Sequence, residues 1–148
     1  MPSIEIPSEY GYVLLAATST FFVNTYHMIL TSQARKKSGI LYPAAYASNE
    51  VAEKDPKAYA FNCAQRAHAN YTENLTPFLG SLLISGLRYP LLAAGIGGAW
   101  ALSRVIYAYG YVKSGPKGRT RGSGGSFLCD TTMKFMALYT SVMFVLGK

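Results

Sequence analysis

Residues 10–34 carry no Asp, Glu, Lys or Arg, and His27 is their one imidazole. A helix rising 1.5 Å per residue over that length crosses the roughly 30 Å hydrocarbon core of a bilayer. Three further stretches of comparable length follow, at residues 59–87, 89–112 and 126–146. Backbone groups inside a bilayer find no water, so only helices and closed barrels can cross it. The period-two alternation of barrel strands is absent, which leaves a bundle of four transmembrane helices as the expected fold class. Only 14% of the residues are charged, against about 25% in soluble domains. A tyrosine-rich soluble helical protein is the alternative that fits the same composition.

The spans are separated by basic segments. Residues 35–57, with ARKKSG, NEVAEKDPK, Pro43 and Pro56, read as a loop. KSGPKGRTRGSGG at 113–125 has five glycines and a proline and reads as a second, glycine-rich loop. The first loop holds Arg35, Lys36, Lys37, Lys54 and Lys57, and the second holds Lys113, Lys117, Arg119 and Arg121. The opposite side has Arg88 in a short turn and Lys148 at the end. Basic residues collect on the cytosolic side, so both loops are expected there and both termini in the lumen. The chain reads as one domain, 1–148. A cleaved signal peptide is not expected, because the first ten residues carry Glu5 and Glu9 rather than a basic residue. Two cysteines, Cys63 and Cys129, are too few for a disulfide framework. The net charge of +7 suits an anionic membrane surface, an anionic ligand or nucleic acid.

The second span, beginning FNCAQRAHANYTENLTPFLG, is unusual in holding Arg66, His68, Asn70, Glu73 and Asn74. Ionisable groups at membrane depth cost several kcal/mol and therefore mark function. Arg66, Asn70 and Glu73 are spaced i, i+4, i+7 and share one helix face, with Asn74 beside them. Arg104, Tyr107 and Tyr111 share a face of the third span, and Arg35 closes the first span at the same depth. Arg119 and Arg121 hang from the glycine-rich loop. The topology brings all of these to one level. A plainer reading is a buried Arg66–Glu73 ion pair that locks the bundle, with tyrosines at the interface. That reading leaves Asn70, the tyrosines and the surplus arginines without a role. Arginine in excess of acid implies an anionic ligand with carboxylates, which the planar guanidinium binds with two hydrogen bonds. The bilayer supplies a lipophilic second partner. His68 and Glu73 lack the spacing of a zinc helix, and no metal is expected. Pro77 is expected to kink its helix.

FNCAQRAHANYTEN with PFLG, followed by RVIYAYGY and a basic segment, resembles the MAPEG family of membrane glutathione enzymes over nearly the whole chain. The resemblance implies a homotrimer of four-helix subunits with glutathione, the co-substrate, bound between neighbours. It implies transfer of glutathione to lipophilic electrophiles and reduction of lipid hydroperoxides, in the endoplasmic reticulum or the outer mitochondrial membrane, and no nucleic-acid partner. A non-catalytic lipid-binding scaffold, which also occurs in the family, is the alternative. The family's glutathione-binding positions fall on Arg35, Arg66, Asn70, Glu73, Tyr107 and Tyr111, with His68 where relatives often have glutamine. Arg104 joins this set by its place on the same face. Asn74 stands where some members have a ligand-binding tyrosine. Arg119 and Arg121 compete for the role of activating the thiol, because the loop before them is one residue longer than in a relative.

Overall fold

The computed structural model describes residues 6–148; Glu5, used above against a cleaved leader, lies outside them. Five helices follow in order: α1 (Tyr10–Ser38), α2 (Asn49–Lys54), α3 (Pro56–Gly86), α4 (Pro90–Gly118) and α5 (Thr120–Val145). The four long ones form the bundle. Among the described residues α1 and α5 do not touch, and each packs against both α3 and α4.

The helix ends follow their local sequence. Gly39 adopts φ 68°, and its N–H closes α1 onto the Arg35 carbonyl at 3.1 Å. Arg35, Lys36 and Lys37 in that last turn complement the negative end of the helix dipole. Asp55 starts α3 by accepting from the Lys57 N–H at 2.8 Å, and Pro56 takes the first helical position. The expected loop at 35–57 therefore contains a short helix, α2, whose cap Ser48 accepts from the Val51 N–H.

The glycine-rich segment departs further from expectation. It is helical up to Gly118 and again from Thr120, with a break at Gly115, which leaves helical geometry at φ 64° and ψ −156°. The reason lies in what the glycines touch. Gly118 lies with its backbone directly against that of Gly110, and a Cβ on either would overlap the other's carbonyl. Small residues that let backbones approach are how helices pack in membranes, so here glycine marks a tight helix–helix turn. Arg119 and Arg121 accordingly sit at the start of α5.

Aromatic rings join the centre of the bundle. Phe78 stacks on Trp100 with centroids 3.9 Å apart, Trp100 meets Tyr71 at 5.6 Å, and Tyr71 stacks on His27 at 4.6 Å. The Tyr71 hydroxyl donates to the Thr20 carbonyl of α1. α3 continues unbroken through Pro77.

α1 and α4 are each long and apolar enough to cross a membrane. α3 has 31 residues and α5 has 26, so both reach past the roughly 30 Å hydrocarbon core, but they carry more polar residues. Outward faces differ in the same way. α1 shows Leu14, Leu15, Phe21 and Phe22, and α5 shows Phe127, Leu128, Phe135 and Leu138. α3 turns Arg66, Thr72, Glu73 and Thr76 outward.

Candidate functional site

A cavity of about 380 Å³ opens where α3, α4 and the start of α5 meet. Asn70 and Asn74 enter it from α3, Trp100, Arg104 and Tyr107 from α4, and Arg119, Ser123, Ser126 and Asp130 from the α4–α5 junction and α5. The volume lies near the lower end of the roughly 300–1,000 Å³ that holds small ligands.

Arg104 is its deepest charge, only 4% exposed. Its Nη2 donates to Asn70 Oδ1 at 2.9 Å, and its guanidinium lies 4.6 Å from the Tyr107 ring centroid and 5.7 Å from that of Trp100. Aromatic faces stabilise a buried cation electrostatically. The Nε of Arg104 has no partner. Asn74 donates its amide to the Asn70 carbonyl at 2.7 Å, which fixes the α3 wall. On the α5 wall, Asp130 Oδ2 accepts from Lys134 Nζ at 2.5 Å, while Oδ1 is buried and unpartnered.

Asn70, Asn74, Arg104, Tyr107 and Arg119 thus converge as the sequence suggested. Tyr111 lies just behind, edge-on to Tyr107 at 5.7 Å and under the Arg119 guanidinium, also at 5.7 Å. Arg121, two residues on, is exposed and stands outside the cavity. Arg66 and Glu73 pair with each other at 2.8 Å on the outer surface of the subunit, with side chains 47% and 53% exposed. The sequence reading put this pair on one face with Asn70, and helix geometry keeps them there, but Asn70 lies at the inner edge of that face against Arg104 while Arg66 and Glu73 stay exposed. His68 faces α1, its Nε2 3.1 Å from Asn24 Oδ1 and its ring 5.9 Å from that of His27. Arg35 serves the first loop: its Nη1 donates to the carbonyls of Ile40 and Ala44 at 3.3 and 2.8 Å, between the Tyr42 and Phe61 rings. Within one subunit it lines a separate cavity with Lys36 and Tyr42.

Trp100, Asp130 and the α5 residues Thr120, Ser123, Ser126 and Phe127 also line the cavity and escaped the sequence reading. Trp100 gave no signal beyond being four residues before Arg104. Asp130 stands four residues before Lys134, the spacing of an ion pair on one helix face, yet a carboxylate in so apolar a stretch is itself a functional signal.

A helical bundle with two helices long and apolar enough to cross a membrane, and a half-polar, arginine-bearing cavity, has the character of an integral membrane protein. The chain belongs to the MAPEG family, whose sequence profile it matches over residues 13–139. It is also similar to the uncharacterized protein sll1147 of Synechocystis sp. (strain ATCC 27184 / PCC 6803 / Kazusa), 31% identical over 91 residues, or 61% of this chain. The match spans 59% of the length of that relative.

Proposed function

We propose that the protein is a membrane glutathione transferase with glutathione peroxidase activity, resembling the microsomal glutathione S-transferase of the third type. In this reading all four long helices span the bilayer, three copies assemble, and the basic end faces the cytosol from the endoplasmic reticulum. The observation that carries it is the place of Arg119. A tight turn delivers this guanidinium to the rim of a cavity that already holds Asn70, Arg104 and Tyr107.

The chemistry follows from the charge. A free thiol has a pKa of about 8.5, and the thiolate is the nucleophile. Lowering that pKa by about two units needs roughly 2.7 kcal/mol in favour of the anion. One charge-assisted hydrogen bond contributes about 1.5–3 kcal/mol, so one arginine suffices. Arg104 and Asn70 hold carboxylate and amide groups of glutathione, and Arg119 stabilises its sulfur as the thiolate once the proton has left to water. The sulfur then bonds to the electrophilic carbon, and the leaving group departs with the bonding electron pair. With a hydroperoxide, the sulfur takes the terminal oxygen as the O–O bond breaks, and the alkoxide gains a proton. A second glutathione thiolate converts the sulfenic product to the disulfide, releasing hydroxide. Neither Cys63 nor Cys129 is needed.

Assembly is supported by the outward face of α3. Arg66, Thr72, Glu73 and Thr76 are exposed on a single subunit, an unfavourable surface for lipid tails. Neighbouring copies remove it from lipid, and bring Arg66, Glu73, His68 and Arg35 into reach of ligands bound between subunits. A lipid-binding scaffold gives Arg119 no task. The test is glutathione binding by the purified protein in detergent, read by calorimetry and by the ultraviolet band of the thiolate. Binding with that band supports an enzyme; lipid binding without glutathione binding supports the scaffold.

A further inference from the structure

We propose that the groove where the basic ends of α1, α3 and α4 meet binds one anionic phospholipid of the bilayer, with its phosphate held by Lys37 and Lys57. The inference needs the chain to lie in a membrane, but it does not depend on glutathione.

A cavity of about 390 Å³ lies there, lined by Leu30, Gln33 and Lys37 of α1, Lys57 and Ala60 of α3, and Val112 of α4. It shares no residue with the cavity of Arg104 and Arg119. It also lies away from the face proposed for assembly. Lys57 and Arg66 are nine residues apart, about two and a half turns, which puts them on opposite sides of α3.

The order of polarity along the groove selects its occupant. Leu30, Gln33 and Lys37 are spaced i, i+3, i+7 and form one stripe of α1. Lys37 stands in the last turn of that helix, which has 29 residues. About 20 residues cross the hydrocarbon core, so the last turn reaches the head-group level. A phospholipid has the same order, from acyl chain through ester carbonyl to phosphate. Leu30, Ala60 and Val112 face the chain, the Gln33 amide donates to the ester carbonyl, and the two ammonium groups donate to the phosphate. The groove takes the upper part of one chain and leaves the rest in the bilayer.

Charge agrees with this occupant. Lys37 and Lys57 are exposed, and among the described residues neither forms an ion pair, whereas Lys54 and Lys134 do. The nearby Asp55 carboxylate is occupied in accepting from the Lys57 N–H as the cap of α3. Two lysines left without an anion on one cavity between membrane helices form a basic pocket of the kind that binds anionic head groups. Lysines that only snorkel to the interface have no need of a shared groove with apolar walls.

The experiment titrates the delipidated full chain in detergent with phosphatidylinositol, or with phosphatidylcholine of the same acyl chains, and counts bound lipid by native mass spectrometry. One phosphatidylinositol per subunit is expected to bind about tenfold or more tighter than phosphatidylcholine, the factor that goes with two lysines facing an anionic head group. Lys37→Gln with Lys57→Gln is expected to bring the two affinities within about threefold. Lys54→Gln with Lys117→Gln removes the same charge from the same end outside the groove, and is expected to keep the preference. Equal affinities in the wild type overturn the inference, and so does a preference that both double variants keep or both lose. The deacylated head group, glycerophosphoinositol, is expected to leave the lipid in place. Displacement by it at a concentration similar to that of the lipid would show that the apolar walls contribute nothing, and would overturn the assignment to a membrane lipid.

Discussion

The Arg119 guanidinium stands 5.7 Å above the centroid of the Tyr111 ring, although a helix–helix turn separates the two residues in the chain. The backbone contact between Gly110 and Gly118 makes this possible. It folds the end of α4 back on itself, so that the next residue overhangs the cavity. Gly110→Ala should therefore act on stability and on thiol activation together. A Cβ there overlaps the Gly118 carbonyl, and overpacking costs about 1–3 kcal/mol. Thermal unfolding should shift down, and the thiolate band of bound glutathione should weaken. Gly124→Ala, where a Cβ meets nothing within 4 Å, should leave both unchanged.

The Asn70 side chain is the hydrogen-bond partner of Arg104. Asn70→Ala removes that acceptor and a wall of the cavity without removing a charge. Glutathione affinity should fall by about 1–3 kcal/mol, the usual loss when a buried donor goes unpaired. Calorimetry with the detergent-purified variant measures it. An affinity equal to the wild type would mean that the α3 wall does not face the ligand.

The Arg66–Glu73 pair reports on assembly. On a lone subunit it is half exposed, and such pairs contribute about 0–1 kcal/mol. In the proposed trimer it would be buried between neighbouring copies, where stranding one partner costs about 3–5 kcal/mol. Native mass spectrometry of Arg66→Ala should therefore show trimers giving way to smaller species. A variant that stays as assembled and as stable as the wild type would place this face against something other than a second copy.

Arg35 holds the first loop by donating to two carbonyls from between two aromatic rings. Lysine lacks the planar fork and the stacking face. Arg35→Lys should lower the unfolding temperature by the equivalent of about 1–3 kcal/mol. Proteolysis near residues 40–44 should quicken in parallel. An unchanged protease pattern would argue that the loop is held otherwise.

How much of this was legible in the sequence depended on what each residue had to satisfy. Apolar length gave the four long helices, but it ended α4 six residues early and began α5 six residues late. Spacing put Arg104 and Tyr107 on one face of α4, which the topology brought to Asn70 of α3. It failed for Arg66 and Glu73. Two residues on one broad helix face can still point to different neighbours, and which way α3 turns is set by α1 and α4. It failed again at 113–125, where glycine content suggested a loop. Whether a glycine frees the backbone or admits another one is decided by the facing residue, here Gly110 against Gly118. Close packing at Gly97, which meets Ala16 and Leu82, shows the same limit. Neighbouring Gly95 and Gly98 face open space.

The central claim is that Arg119 ionises the thiol of bound glutathione, and the most direct measurement is a pH titration of its ultraviolet thiolate band. In the wild type the band should persist well below the free-thiol pKa of about 8.5, because a lowered pKa keeps the anion present at lower pH. Arg119→Ala should still bind glutathione, yet its band should appear only near that value, a displacement of about two units. Arg121→Ala, altered outside the cavity, should titrate like the wild type. The account is contradicted if Arg119→Ala titrates like the wild type, or if Arg121→Ala alone shows the displacement.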